Sequence, residues 1–301
     1  MNLDAHTPSA DETTCSLVSS RGILKSCDIR SPEPESSWDC IDWLGPINDG
    51  STVYVCGASI KRFVNSQKSR EAGKYVLVSG DSDESCPDEM LSEEALDRFL
   101  NRENLLHWFA QNCTLSHAKV TRLPIGLDYH TLAEGDHWSG PKQTPFEQEQ
   151  RLLEIASNAK PITERALKCF SNFQFTQDRW GDRRAAAELV PRKLIVAPPQ
   201  RTNRDLTWQL QSQCAFVISP HGVGLDCHRT WEALVLGCIP IVKTSGLDPL
   251  FTNLPVLIVE AWSDISKGAL ELALSRHNTK QVLKELRLDH WTDLLRSKIR
   301  H

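Results

Sequence analysis

The chain has 301 residues, 40% of them hydrophobic and 24% charged, proportions of an ordinary globular protein that exclude a disordered, collagen-like or fibrous chain. Lys and Arg number 34 against 39 Asp and Glu, a formal net charge of −5, so no global positive field draws the chain onto nucleic acid or anionic lipid, and any anion site has to be local. The length suits two domains of roughly 150 residues each, and no run of about 18 apolar residues offers a membrane span.

Met1 to Ser20 is polar and acidic with no apolar stretch behind a basic start, so no secretory signal is expected and the expected location is cytoplasmic. The ten cysteines are scattered, with no C-x-x-C pair, and read as free thiols. Asn112-Cys113-Thr114 matches a glycosylation acceptor; without a signal segment it reads as a chance match.

Residues 1–48, rich in Ser, Pro, Asp and Glu, are expected to form a polar lead-in anchored by aromatics such as Trp38 and Trp43 and to carry little chemistry. Thr52–Cys56 and Lys74–Ser79 are β-branched runs ending at Gly57 and Gly80, the pattern of buried parallel strands, with a polar helix-like stretch from Ile60 to Glu71 between them. Ser92–Leu100 has a capping serine, acids in its first turn and apolar residues at helical spacing. Leu105–Asn112 reads as a short helix or a strand, Val120–Gly126 as a strand entering a loop, and the stretch up to Pro145 as a long irregular segment of the kind that often serves function.

Phe146–Ala159 and Thr163–Ala166 have helical patterning, and a second alternation starts at Lys168–Phe173. Helices are expected at Asp182–Leu189, Thr207–Gln213 and Cys227–Leu236, and strands at Lys193–Ala197, Ala215–Ser219, Ile239–Lys243 and Val256–Val259. Two α/β units with parallel sheets follow, residues 49–160 and 161–277, closed by a helix over 278–301 with Leu283, Leu286, Trp291 and Leu295 in its apolar stripe. Ligands of such sheets bind beyond the carboxyl ends of the strands.

The most informative stretch is Phe216–Lys243. A strand delivers the chain to a turn with Gly222 and Gly224, where backbone N–H groups can approach an anion, and the following helix adds its positive end. The dinucleotide fingerprint G-x-G-x-x-G would need glycine at 227, which is Cys227. Arg229 and Glu232, three apart on one helical face, can place a guanidinium at a phosphate and a carboxylate at ribose hydroxyls; the same spacing also suits a surface ion pair.

Arg229-Thr-Trp-Glu232-Ala-Leu followed by Gly237-Cys-Ile-Pro240-Ile-Val resembles the donor-binding half of exostosin-type glycosyltransferases, closely over about thirty residues, and the compact length resembles the viral and microbial glycan-decorating members. The resemblance implies a GT-B architecture: two Rossmann-like α/β domains, acceptor domain first (49–160), nucleotide-sugar domain second (161–277), and a terminal helix crossing back. It implies an inverting transfer of a sugar, a pentose such as xylose or a hexose, from a UDP-sugar to a glycan or glycoprotein hydroxyl. Ser219, His221, Gly222, Gly224 and Arg229 would then face the diphosphate and Glu232 the ribose, with Asn172, Arg184, Arg201 and Arg204 contributing from earlier loops and helices. A helix dipole and arginines on the leaving group would make a metal unnecessary.

Displacement at an anomeric carbon needs a general base for the acceptor hydroxyl. Asp81, at the end of a buried strand, is the first candidate and Asp83 the second; Asp128 and His130 are alternatives in another strand-end loop. Asp81-Ser82-Asp83 is also a D-x-D, the pattern by which GT-A transferases hold a divalent cation, a reading that would leave residues 216–243 without a role. Cys113 and His117 form one i,i+4 pair without further ligands and read as packing. No G-x-S-x-G elbow points to a hydrolase. Trp138 is a candidate to stack on sugar, although most of the nine tryptophans are expected to serve the core. A non-catalytic protein that binds nucleotide-sugar or glycan on the same fold remains the other class.

Overall fold

The computed structural model describes residues 12–31, 40–198, 200–276 and 283–299. Its described strands form two sheets in which every pairing is parallel. The first holds β1 (Ser51–Cys56), β2 (Tyr75–Gly80), β3 (Leu105–Ala110) and β4 (Val120–Arg122) in the order β1-β2-β3-β4. Helix α1 (Ser20–Lys25) precedes it, α2 (Ile60–Asn65) and α3 (Gln67–Arg70) join β1 to β2, and α4 (Glu93–Leu100) joins β2 to β3. Helices α5 (His130–Glu134) and α6 (Pro145–Asn158) lead to the second sheet, made of β5 (Ala166–Phe170), β6 (Ile195–Val196), β7 (Cys214–Ile218), β8 (Ile239–Lys243) and β9 (Leu257–Val259) in the order β6-β5-β7-β8-β9. The connecting helices are α7 (Asp182–Leu189), α8 (Arg204–Gln211) and α9 (His228–Val235); α10 (Lys267–Arg276) and α11 (Leu288–Ser297) follow.

Period-two alternation sends each strand's side chains to two cores. Val53, Val55, Leu77 and Trp108 pack with Phe63 of α2 and Phe99 of α4. Tyr54, Val76, Val78 and Phe109, on the other face, join Ile23 and Leu24 of α1 with Trp291 and Leu295 of α11. Every residue of β2 is buried, which is why it reads as an unbroken apolar run. In the second sheet Phe216, Ile218 and Ile241 pack with Ala186 of α7 and Leu270 of α10, whereas Phe170, Val217 and Val242 face Trp208 of α8 and Trp231 of α9. That second core is continuous with the one under the first sheet, each large apolar side chain in it contributing about 1.5–3 kcal/mol by burial.

Several elements depart from the sequence reading. Leu105–Asn112, open between helix and strand, contains strand β3. Thr163–Ala166 is not helical: a single 3-10 turn, Ile162–Glu164, ends as β5 begins at Ala166. Helix α10 was not anticipated because Leu270, Leu272 and Leu274 alternate as in a strand; only Leu270 of this helix is buried. Among the described residues the closing helix spans Leu288–Ser297, with a 3-10 turn at Lys284–Leu286; residues 278–282 and 300–301 of the anticipated span lie outside the described residues. It does return to the first half: Val18 N–H donates to Leu286 O at 2.8 Å and Leu288 N–H to Ser16 O at 2.9 Å.

The largest correction concerns the lead-in. Trp38 lies outside the described residues, but Ser20, Arg21, Gly22, Ile23 and Leu24 of α1 are buried beneath the first sheet. Ser19 caps this helix by accepting the Gly22 N–H at 3.0 Å. A short helix preceded by acidic, polar chain carries little periodic signal, and its burial follows from the sheet face and the returning α11 that enclose it.

Candidate functional site

The second sheet reverses direction at β5: β6 lies on one side of it and β7 on the other. In open α/β sheets ligands bind outside the carboxyl ends of the strands at this switch point. A cleft of about 680 Å³ opens there. Its floor comes from the end of β5 (Phe170, Asn172, Phe173) and the first turns of α8 and α9, and its opposite wall from segment 128–139 of the first half. A second hollow of about 570 Å³ lies at the amino ends of β5 and β7, beside Ala166 and Gln213. It is the wrong end of the sheet for a ligand, and its arginines are already engaged, Arg151 by Asp205 and Glu154 and Arg165 by the Lys160 and Leu236 carbonyls.

Arg229 and Glu232 both line the large cleft from the first half of α9. The Arg229 Nε donates to Asn172 O at 3.2 Å, and its guanidinium lies 5.6 Å from the centroid of the Phe173 ring. Its Nη1 is buried and has no hydrogen-bond partner among the described residues. Burial pulls the guanidinium below its ordinary pKa, as desolvation of a cation must. Burial raises the Glu232 carboxyl, opposed by the positive charge of Arg204.

The facing wall holds a chain of charges. Arg204 Nη2 meets Asp128 Oδ2 at 2.5 Å, and Asp128 Oδ1 lies 3.3 Å from His130 Nδ1. Burial pushes the Asp128 carboxyl up, but Arg204, His130 and His228 outweigh it and hold the group well below the usual carboxylate range. The His130 ring is pulled down by burial, against the pull of Asp128 and with further lowering from His228 and Arg21, and so favours its neutral form. His228 anchors its Nδ1 on Gly126 O at 2.8 Å, with its ring centroid 6.0 Å from that of His130. Behind them Arg21 of α1 places its Nε 3.8 Å from Asp81 Oδ2 and its Nη1 on Glu134.

Of the residues anticipated from sequence, Asn172, Arg204, Arg229 and Glu232 converge on the cleft. Arg204, however, is committed to Asp128 and to Gln148 Oε1 at 2.8 Å, and joins the two halves. Arg184 points away, its side chain 72% exposed. Its neighbour Arg183 faces inward instead, a choice set by helix phase. Arg201 lies at the rim, stacked 3.4 Å from the Trp138 centroid.

The glycine turn is not an open cradle. Ser219 Oγ pairs with Thr230 Oγ1 at 2.8 Å. The His221 N–H donates to Asp182 Oδ2 at 2.9 Å, and the Gly222 N–H to Gly224 O at 3.0 Å. These amides therefore have partners within the protein, and the positions are explained by packing: a Cβ on Gly222 would sit 2.5 Å from Arg183 Nη2, and one on Gly224 would sit 3.0 Å from Asn112 Nδ2. The turn serves as a seam between the halves. Asn112 completes it, donating from Nδ2 to Ser82 O at 2.9 Å and accepting the Asp226 N–H at 2.8 Å. With its side chain buried and so engaged, Asn112 is no glycan acceptor in this fold.

Asp81 is buried at the end of β2 with φ +53, its N–H donating to Gln111 Oε1 at 2.9 Å. It faces Arg21 rather than the cleft lining. Asp83 accepts from the Gly224 N–H at the seam, while burial and Glu84 raise its carboxyl. His130 and Asp128, the alternatives, both line the cleft. Arg21 and Arg183 were missed. Arg21 had one local signal, the serine cap before an apolar turn; Arg183 had none beyond its neighbour.

No protein-family model matches this chain, and no curated protein matches it. Among solved structures it is similar to the crystal structure of an alpha1,3-fucosyltransferase with GDP-fucose, at 11% identity and a TM-score of 0.39, over 93% of this chain and 96% of that one.

Proposed function

We propose that the protein is a glycosyltransferase that takes a nucleotide-sugar donor in this cleft. The observation that carries the reading is Arg229: it lines the cleft at the carboxyl end of a parallel sheet, and its Nη1 has no hydrogen-bond partner among the described residues. A buried guanidinium N–H without a hydrogen-bond partner costs stability unless a ligand supplies the acceptor. A diphosphate does so, and α9 adds the partial positive charge of its first turn. Glu232, one turn further on, suits the ribose diol. The similarity of residues 229–242 to exostosin-type enzymes supports this division and makes UDP the first nucleotide to test.

On this reading His130 is the general base, in preference to Asp81. The neutral ring takes the proton of the acceptor hydroxyl on Nε2 while Asp128 orients Nδ1. The acceptor oxygen forms its bond to the anomeric carbon as the bond from that carbon to the phosphate oxygen breaks. The nucleoside diphosphate leaves with its new negative charge against Arg229. The transfer inverts the anomeric centre and needs no metal; the acceptor is a glycan or glycoprotein.

Calorimetry and thermal shift with UDP, GDP, ADP, CMP and their sugars, in EDTA and in manganese, test the donor site. Binding in EDTA that Glu232→Ala weakens about tenfold or more, through loss of a charged hydrogen-bond partner, is the expected result. Binding only with manganese would return the metal role to Asp81 and Asp83, and binding without sugar transfer would leave a nucleotide-sugar-binding protein. No nucleotide binding at all would sink the reading.

A further inference from the structure

Trp138 stands in the cleft wall with 46% of its surface exposed. Leaving so large an apolar ring in water forgoes stabilisation that burial would provide, yet the loop around it is built to hold it there. His137 and Gly140 exchange both backbone hydrogen bonds, at 3.0 and 2.9 Å. His137 Nδ1 pairs with Ser139 Oγ at 2.8 Å, and the Ser139 carbonyl accepts the Arg204 N–H at 2.7 Å, tying the loop to α8. The Arg201 guanidinium lies 3.4 Å from the indole centroid and covers one face. The His137 ring packs beside the indole at a centroid distance of 5.1 Å, and the rest of the ring is left open to solvent. A rigid aromatic surface of this kind binds without the cost of ordering a loop.

Which substrate meets it follows from the side of the cleft that supplies it. Asn172, Arg229 and Glu232 belong to the second sheet, whereas Trp138 lies on the segment that carries Asp128 and His130. In a displacement reaction the base and the acceptor share a side, and the nucleotide leaves on the other. A pyranose presents a face of C–H groups that fits an indole and a rim of hydroxyls that needs hydrogen-bonding partners. Thr131, on the same segment, lines the cleft with Trp138 and offers such a group. We infer that Trp138 is the platform on which a sugar ring of the acceptor stacks, so that the acceptor class is a carbohydrate rather than a peptide hydroxyl. The inference rests on the transferase reading for the word acceptor, but its test does not require turnover.

Wild type, Trp138→Phe and Trp138→Ala are titrated by calorimetry and saturation-transfer NMR with a panel of neutral methyl pyranosides and disaccharides, and separately with UDP and GDP. The side chain is half exposed, so both variants are expected to keep the wild-type melting temperature within about 2–4 °C, the shift that goes with roughly 1 kcal/mol. The expected result is sugar binding weakened at least about tenfold in Trp138→Ala, partly retained in Trp138→Phe, and nucleotide affinity unchanged in both. Loss of nucleotide affinity with sugar binding intact would assign the ring to the donor's base and overturn the inference. Equal sugar binding by all three proteins, or none by wild type across the panel, would overturn it as well. Failure of the donor reading shows separately, as absence of nucleotide binding by wild type.

Discussion

Replacing Arg229 with methionine separates a ligand-binding arginine from a structural one. The substitution removes the charge-assisted Nε bond to Asn172 O at 3.2 Å and the contact over Phe173 at 5.6 Å, together about 2–4 kcal/mol of stabilisation. It also removes a buried Nη1 with no partner, which relieves a penalty of about 1–3 kcal/mol, while methionine keeps much of the apolar stem and volume. The two sides nearly cancel, so the unliganded variant is expected to melt within a few degrees of wild type, at about 2–4 °C per kcal/mol for a chain of this size class. Nucleotide affinity behaves otherwise. Two charge-assisted hydrogen bonds to phosphate, at about 1.5–3 kcal/mol each, correspond to a loss of roughly 10²–10⁴ in affinity. Scanning fluorimetry of the free protein and calorimetry with the nucleotide of highest affinity read both effects. A variant that melts more than about 8 °C lower yet binds nucleotide as wild type does would refute the reasoning and make Arg229 a structural residue.

Arg204→Met should be costly, by about 3–5 kcal/mol at neutral pH, because it strands the largely buried Asp128 carboxylate. Since the folded pKa of Asp128 is depressed, its contribution is present above the ordinary carboxylate pKa and lost as pH falls through the depressed value; the melting-temperature gap between wild type and variant is therefore expected to narrow in acid. His130→Ala should lower kcat by about 10²–10⁴ with donor affinity little changed. The acid limb of wild-type kcat/KM should fall below 6.5, the ordinary histidine value, because burial favours the neutral ring; activity is full above that limb and lost below it, and a limb above 6.5 would remove His130 as the base. Gly126→Ala would place a Cβ 2.4 Å from Val18 O at φ +67, so denaturant unfolding should show a loss above about 1–2 kcal/mol, the left-handed strain alone. Gly45→Ala, whose Cβ would meet nothing within 4 Å among the described residues, is the control and should be near neutral.

The sequence by itself determined the alternating α/β order and the pairing of Arg229 with Glu232. Strands such as Tyr75–Gly80 are buried on both faces and read as unbroken apolar runs, and two residues three apart on one helix must share a face wherever that helix docks. The glycine turn was legible as a turn, but its purpose was not. Whether its amides met an anion or protein depended on Asp182, 39 positions earlier in the chain than His221, and on Asn112, 114 positions from Asp226. The choice of Arg183 over Arg184 depended on the phase of α7 against the cleft, which one residue of rotation alters by about 100°. The pair Asp128 and His130 was among the alternatives and not first, because a carboxylate at a strand end signals a site locally, whereas the burial that lowers the His130 pKa and the approach of Arg204 to Asp128, 76 positions apart, arise only when the two sheets pack on one core. Arg21 shows the same limit from the other side: a polar lead-in became buried structure because α11 and the face of the first sheet enclose it. Local pattern sets what a segment can be, and long-range packing sets which of its polar groups are left to meet a ligand.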